Sequence, residues 1–135
     1  MINSIFVNLP VKDLQRSIKF FTQMGFKFNP QFTNEEATCM ILGKDMYAML
    51  LVEKTFSGLT KRPIGETPKT AEVIVSLMLD NRPDVDILAD KALKVGAVNY
   101  SDPVEMGFMY NRSFQDLDGH LWEVGWMDPA HVEPF

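Results

Sequence analysis

Apolar and polar positions along the chain switch between two periods. Ser4 to Leu9 (SIFVNL) is a short β-prone run closed by Pro10, and it predicts a strand. Asp13 then offers an N-cap carboxylate to DLQRSIKFFTQM. Its Leu14, Ile18 and Phe21 recur on one helical face, and Gly25 ends the helix. Three strand-like runs follow: Phe26 to Phe32, Ala37 to Leu42, and Met46 to Val52. Asn34-Glu35-Glu36 and Gly43-Lys44-Asp45 separate them as turns. From Glu53 to Thr70 no period is sustained, and two Gly and two Pro interrupt the segment. It reads as a connecting loop with one short helical turn near Phe56.

The second half repeats the first. Glu72 to Leu79 predicts a strand. Asn81 caps PDVDILADKALKV, with Asp84 placed as in a capping box. Val85, Leu88, Ala89, Ala92 and Val95 form the stripe to be buried, and Gly96 ends the helix. A short strand near Val98 to Tyr100 is expected, then Phe108 to Gln115 and Leu121 to Met127. The last two are joined by Asp116-Leu117-Asp118-Gly119, whose Asp-Gly pair is a hairpin signal. Both helical segments run from Asp to Gly, 13 to 25 and 84 to 96, at a common offset of 71. The expected class is therefore α+β, with two βαβββ modules. One module alone leaves a sheet face uncovered, so the two copies are expected to share a core. The expected boundaries are about 1–53 for module one, 54–70 for a linker, 71–128 for module two and 129–135 for a C-terminal tail.

Composition narrows the chemistry. The chain has 135 residues, one domain's worth, with 46% apolar and 23% charged residues, which suits a folded core. Net charge is −5, against nucleic acids or anionic membranes as partners. Apolar runs such as Tyr47 to Val52 are far too short to span a bilayer, and MINSIFVNLPVKD lacks a basic n-region before a long apolar stretch. A cytoplasmic protein is expected. There are two histidines, His120 and His131, and one cysteine, Cys39. A Cys₄ or Cys₂His₂ zinc site is thereby excluded within one chain, as is an intrachain disulfide. Cys39, among apolar strand residues, reads as an inert core thiol.

VKDLQRSIKFF from Val11, a loop at the midpoint, and D-x-D-G-x-x-x-E from Asp116 to Glu123 resemble the vicinal oxygen chelate superfamily. That group includes glyoxalase I, bleomycin-resistance and fosfomycin-resistance proteins, and extradiol dioxygenases. The resemblance covers almost the whole chain. It implies paired βαβββ modules whose mixed sheets curl into a cup, a small ligand or metal in that cup, and a homodimer. Metal-using members take one ligand from the first and one from the last strand of each module. One scaffold carries many chemistries, so the residues themselves decide.

Four positions correspond to those ligands. Glu123 falls where the motif places its glutamate. Strand alternation sets it with Leu121 and Gly125, while Trp122, Val124 and Trp126 take the other face. It reads as a metal ligand or general base, or else as a solvated carboxylate bonded to a neighbour. Phe6 stands where a histidine is usual, with Asn8 on its face, and reads as a cup-lining residue. On the fourth strand Met49 sits near the usual ligand position, where a thioether is a poor ligand for hard ions. For the fifth strand, one alignment selects Glu72, while counting back from the helix selects Ile74 or Val75. His120 has the parity of Trp122, away from Glu123, and His131 lies in the tail. Two convergent histidines are missing, which argues against extradiol dioxygenase chemistry. Tyr110, Arg112 and Phe114 share one face of the strand before Glu123's. Arg112 is a candidate to grip an anion, or to pair with Glu123 or another acid.

The expectation is a protein that binds a small organic molecule in an aromatic-lined cup through Phe6, Asn8, Met49, Tyr110, Arg112, Phe114 and Glu123, without the usual histidine-containing metal site. Its cofactor is none, or a weakly held divalent metal on Glu123 and Glu72. Two alternatives stand beside it: a metal-dependent lyase, isomerase or thiol transferase using Glu123, and a dimeric interaction module without a ligand.

Overall fold

A computed structural model describes residues 1–131. The last part of the expected C-terminal tail, 132–135, lies outside the described residues. The chain forms two compact units, 1–66 and 67 onward.

The first unit runs β1 (Ile5–Val11), α1 (Leu14–Gln23), β2 (Lys27–Asn29), a 3-10 turn (Pro30–Phe32), β3 (Ala37–Gly43), β4 (Met46–Val52) and α2 (Glu53–Thr60). Its sheet has the order β1-β4-β3-β2, with β1 parallel to β4 and the rest antiparallel. Asp13 starts α1 as its composition requires: the side chain accepts from the Arg16 backbone N–H at 3.1 Å. Removing that cap in Asp13→Ala is expected to cost about 1 kcal/mol, read as a lowered urea midpoint with unchanged slope. Leu14, Ser17, Phe20 and Phe21 of α1 are buried, and Phe20 meets Phe21 edge-on with centroids 4.9 Å apart. The α1 side of the sheet supplies Leu9, Val11, Thr38, Met40, Ala48 and Leu50, all buried.

The second unit runs β5 (Ile74–Met78), α3 (Arg82–Lys94), β6 (Val104–Glu105), β7 (Met109–Gln115) and β8 (Leu121–Met127). Its order, β5-β8-β7-β6 with β5 parallel to β8, repeats that of the first. The fold is therefore α+β, with two βαβββ modules, each a four-stranded mixed sheet. Val85, Ala89 and Ala92 of α3 are buried over β7 and β8, where Phe114, Trp122 and Val124 have no exposure. Phe114 and Trp122 stack in parallel at 6.2 Å.

Several elements differ from expectation. The run from Phe26 stops as a strand at Asn29, because Pro30 has no N–H for a ladder and the Asn29 side chain accepts from Gln31 N–H at 3.0 Å. The midpoint segment holds an eight-residue helix instead of a single turn, opened by Glu53 at the electropositive end and closed by Lys61 at φ 56°. β5 is shorter than Glu72 to Leu79. The Asn81 side chain accepts from no backbone N–H of α3; its carbonyl accepts from Asp84 N–H at 3.1 Å, and its amide donates to Asp84 Oδ2 at 3.2 Å. Near Val98 to Tyr100 only Val98 bridges to Gln115, and the edge strand forms later, beyond Pro103. Among the described residues no helix is long and apolar enough to cross a membrane.

Candidate functional site

In each unit the helix covers one sheet face, and pairing register defines the other. In the first unit that other face carries three side-by-side rows, the innermost being Pro10, Leu51 and Ala37. One is Phe6, Tyr47, Ile41 and Lys27; the next is Asn8, Met49, Cys39 and Asn29. Phe6 is half exposed and its ring stacks on Tyr47 at 4.7 Å with planes 22° apart. The pair thus stands at the surface of the sheet and not in the core. The structure thus brings Phe6, Asn8 and Met49 together. Cys39 is buried in the second row, and burial pushes its thiol pKa up, against nucleophilic use.

In the second unit the corresponding face has four rows, the outermost being Met109 and Met127. Ile74, Leu121 and Gln115 form the first. Ser76, Glu123 and Ser113 form the second. Met78, Gly125, Asn111 and Val104 form the third. Gly125 has a local purpose: a Cβ there would meet Met78 Sδ at 3.2 Å, so the missing side chain lets the thioether lie across β8. Glu123 is half-buried, and its Oε2 accepts from the Ser76 hydroxyl at 2.7 Å. Ser113, on the opposite flank, donates to the Ser101 carbonyl at 3.3 Å. Tyr100 reaches the same neighbourhood: its hydroxyl donates to the Trp122 carbonyl at 3.4 Å. Burial first, and then the charge of Glu123, push the Tyr100 phenol pKa up, while a hydrogen bond with Ser113 pulls it down. Among the described residues no Lys, Arg or His forms an ion pair with Glu123.

Tyr110, Arg112 and Phe114 lie on the opposite face from Glu123, under α3. Tyr110 donates to Asp86 at 2.7 Å, and Arg112 spans Asp86 at 3.0 Å and Asp90 at 2.8 Å. Arg82 stands over the Tyr110 ring at 4.3 Å and pairs with Glu105. The Asp86 carboxyl is held below its ordinary range by Tyr110 first and Arg112 second. The acidic partner of Arg112 is therefore on α3 and is not Glu123. Phe114 is wholly buried.

Glu72 lies before β5, and the β5 residue that register sets beside Glu123 is Ser76. Ser76, Ser113 and Tyr100 are the site residues that the chain's motifs do not reveal. Parity marks Ser113 only once its strand's faces are assigned, and Ser76 only once register is known. Tyr100 follows a lone bridge and has no periodic signal. The donors around Glu123 are hydroxyls. Among the described residues no three His, Cys, Asp or Glu side chains cluster so as to hold a metal ion. This donor set does not fit a divalent metal.

The D-x-D-G motif before Glu123 builds the turn. Asp116 Oδ1 accepts from the N–H groups of Asp118 at 2.9 Å and His120 at 3.0 Å, and Oδ2 accepts from the Trp122 indole at 2.9 Å. Desolvation raises the Asp116 pKa; His120 and these donors pull it back. Gly119 sits at φ 86°, and a Cβ there would come within 3.0 Å of the Pro68 backbone nitrogen.

Residues 3–43 match the family described as bleomycin resistance protein-like N-terminal. The whole fold is shared with solved structures. A hypothetical protein from S. aureus is 29% identical at a TM-score of 0.78, covering 93% of this chain and 95% of that one. A glyoxalase/bleomycin resistance protein/dioxygenase family enzyme from Burkholderia phytofirmans is 16% identical at a TM-score of 0.78, covering 90% of this chain and 96% of that one. The chain has the fold of the glyoxalase/bleomycin resistance/dioxygenase proteins. A fosfomycin resistance protein from Mesorhizobium loti, 15% identical at a TM-score of 0.69, shares the superfamily's fold over 97% of this chain and 98% of its own. No curated protein matches significantly. On this fold the chain carries an open aromatic pair and a carboxylate among hydroxyls.

Proposed function

We propose that this protein binds a small organic molecule on the sheet faces left open by its helices, with no histidine-containing metal site. The observation that carries this reading is the Phe6–Tyr47 pair, stacked yet with Phe6 half exposed, beside Asn8 and Met49. Ligand sites are apolar surfaces with a few placed polar groups, and this one has that make-up. Glu123, steadied by Ser76, is the polar anchor of the second unit. The homodimer belongs to the same reading, as does a cytoplasmic location.

The test is a thermal-shift screen of small aromatic and heteroaromatic compounds, with metal content of the purified protein measured alongside. Compounds that raise Tm in the native protein are expected to lose most of that effect in Phe6→Ala. An unchanged ligand response in Phe6→Ala would remove this surface from the site. Stoichiometric zinc, nickel, manganese or iron lost in Glu123→Gln would replace the metal-free reading with the metal-dependent lyase or transferase.

A further inference from the structure

The face around Glu123 carries information about the sign of its ligand. Among the strand residues on that face, Glu123 is the one charged group. The others are Ile74, Ser76 and Met78 on β5, their partners on β8 and β7, Met109 and Met127 beyond them, and Val104 on β6. Among the described residues no cation pairs with it: Arg112 is committed to Asp86 and Asp90 on the other face, and Arg82 to Glu105. A half-buried carboxylate without a counter-charge attracts a cation more strongly than one in open water, since less solvent screens it.

The hydrogen-bond inventory points the same way. A hydroxyl has one proton and two lone pairs. The Ser76 proton goes to Glu123, the Ser113 proton to the Ser101 carbonyl, and the Tyr100 proton to the Trp122 carbonyl. Each hydroxyl proton already has an acceptor within the protein. What this cluster has left to offer is lone pairs, including those of the second Glu123 oxygen. A ligand must therefore bring donors. The amides of Asn111 and Gln115, one row away on either side, hold both donors and acceptors and favour neither sign. The flanking rows of Ile74 and Leu121, and of Met78 and Val104, supply apolar surface for a carbon skeleton.

Resting on the binding reading above, we infer that the ligand class of this face is an organic ammonium: a protonated amine on an apolar or aromatic body, donating to Glu123. Ser76 positions the carboxylate, and the rows on either side hold the hydrocarbon.

Three probes of similar size decide it: benzylammonium, benzyl alcohol and phenylacetate, titrated into the full chain by calorimetry and by amide chemical shifts. Benzylammonium is expected to bind at least tenfold tighter than benzyl alcohol, with phenylacetate showing no binding, and with shifts at Ser76, Ser113 and Glu123. The preference is expected to vanish in Glu123→Gln, which keeps the shape and an acceptor for Ser76, and to weaken with added salt. Equal binding of alcohol and ammonium, or a preference that survives Glu123→Gln, overturns this inference and leaves small-molecule binding standing. Failure of all three probes to bind at this face overturns this inference, while the ligand response of Phe6→Ala decides the binding reading separately. A circular-dichroism check that Glu123→Gln melts as the native chain does keeps the comparison valid.

Discussion

Asp116→Ala is expected to destabilise the protein by about 3 kcal/mol, read as a drop in Tm of about 10 °C in calorimetry. The substitution strands three donors at once: two backbone N–H groups of the turn and the indole N–H of Trp122. The indole belongs to a residue with no exposure, so water cannot replace the lost acceptor. Against this stands relief of the desolvation that raises the Asp116 pKa, which is why the expected loss is less than three full penalties. Asp116→Asn keeps an acceptor for Trp122 or for the turn, but not for both, and is expected to fall between. A Tm within 2 °C of the native value in Asp116→Ala would show that the turn holds without its carboxylate.

Trp122→Ala carries the largest expected effect, about 4 kcal/mol. It removes the largest fully buried side chain, the stacking partner of Phe114 and a donor to Asp116. Because the indole and the carboxylate satisfy one another, the two losses overlap. The double variant with Asp116→Ala should therefore cost at least 1 kcal/mol less than the sum of the singles. Additive losses from urea melts of the four proteins would contradict the shared bond. Trp122 lies one residue from Glu123 on the opposite face, so this pair also fixes the plane from which Glu123 projects.

Much of this architecture was legible in the residues, for identifiable reasons. Asp13 and Gly25 bracket α1 because a cap acceptor and a glycine act locally, and the structure places the helix between them. Met46 to Val52 and Leu121 to Met127 form strands over those same residues, since turn chemistry bounds each. The alternation that parted Glu123 from Trp122 and Val124 holds because the period of a strand is fixed. What local pattern does not carry is register. Whether Glu72, Ile74 or Val75 stands beside Glu123 depends on where a parallel strand slides, and the structure answers with Ser76. The face of Arg112 had the same ambiguity. It was resolved by Asp86 and Asp90, which sit on a helix that no motif links to β7.

The parallel pairings have a consequence for folding speed. β7 and β8 meet through the short turn that Asp116 organises, so they can join early. β5 finds β8 only after α3 and that hairpin are between them, and β1 finds β4 in the same way. The first strand of each module is thus the last to gain a partner. The entropy of closing those long loops, more than the strength of any one contact, sets the rate at which the chain becomes native.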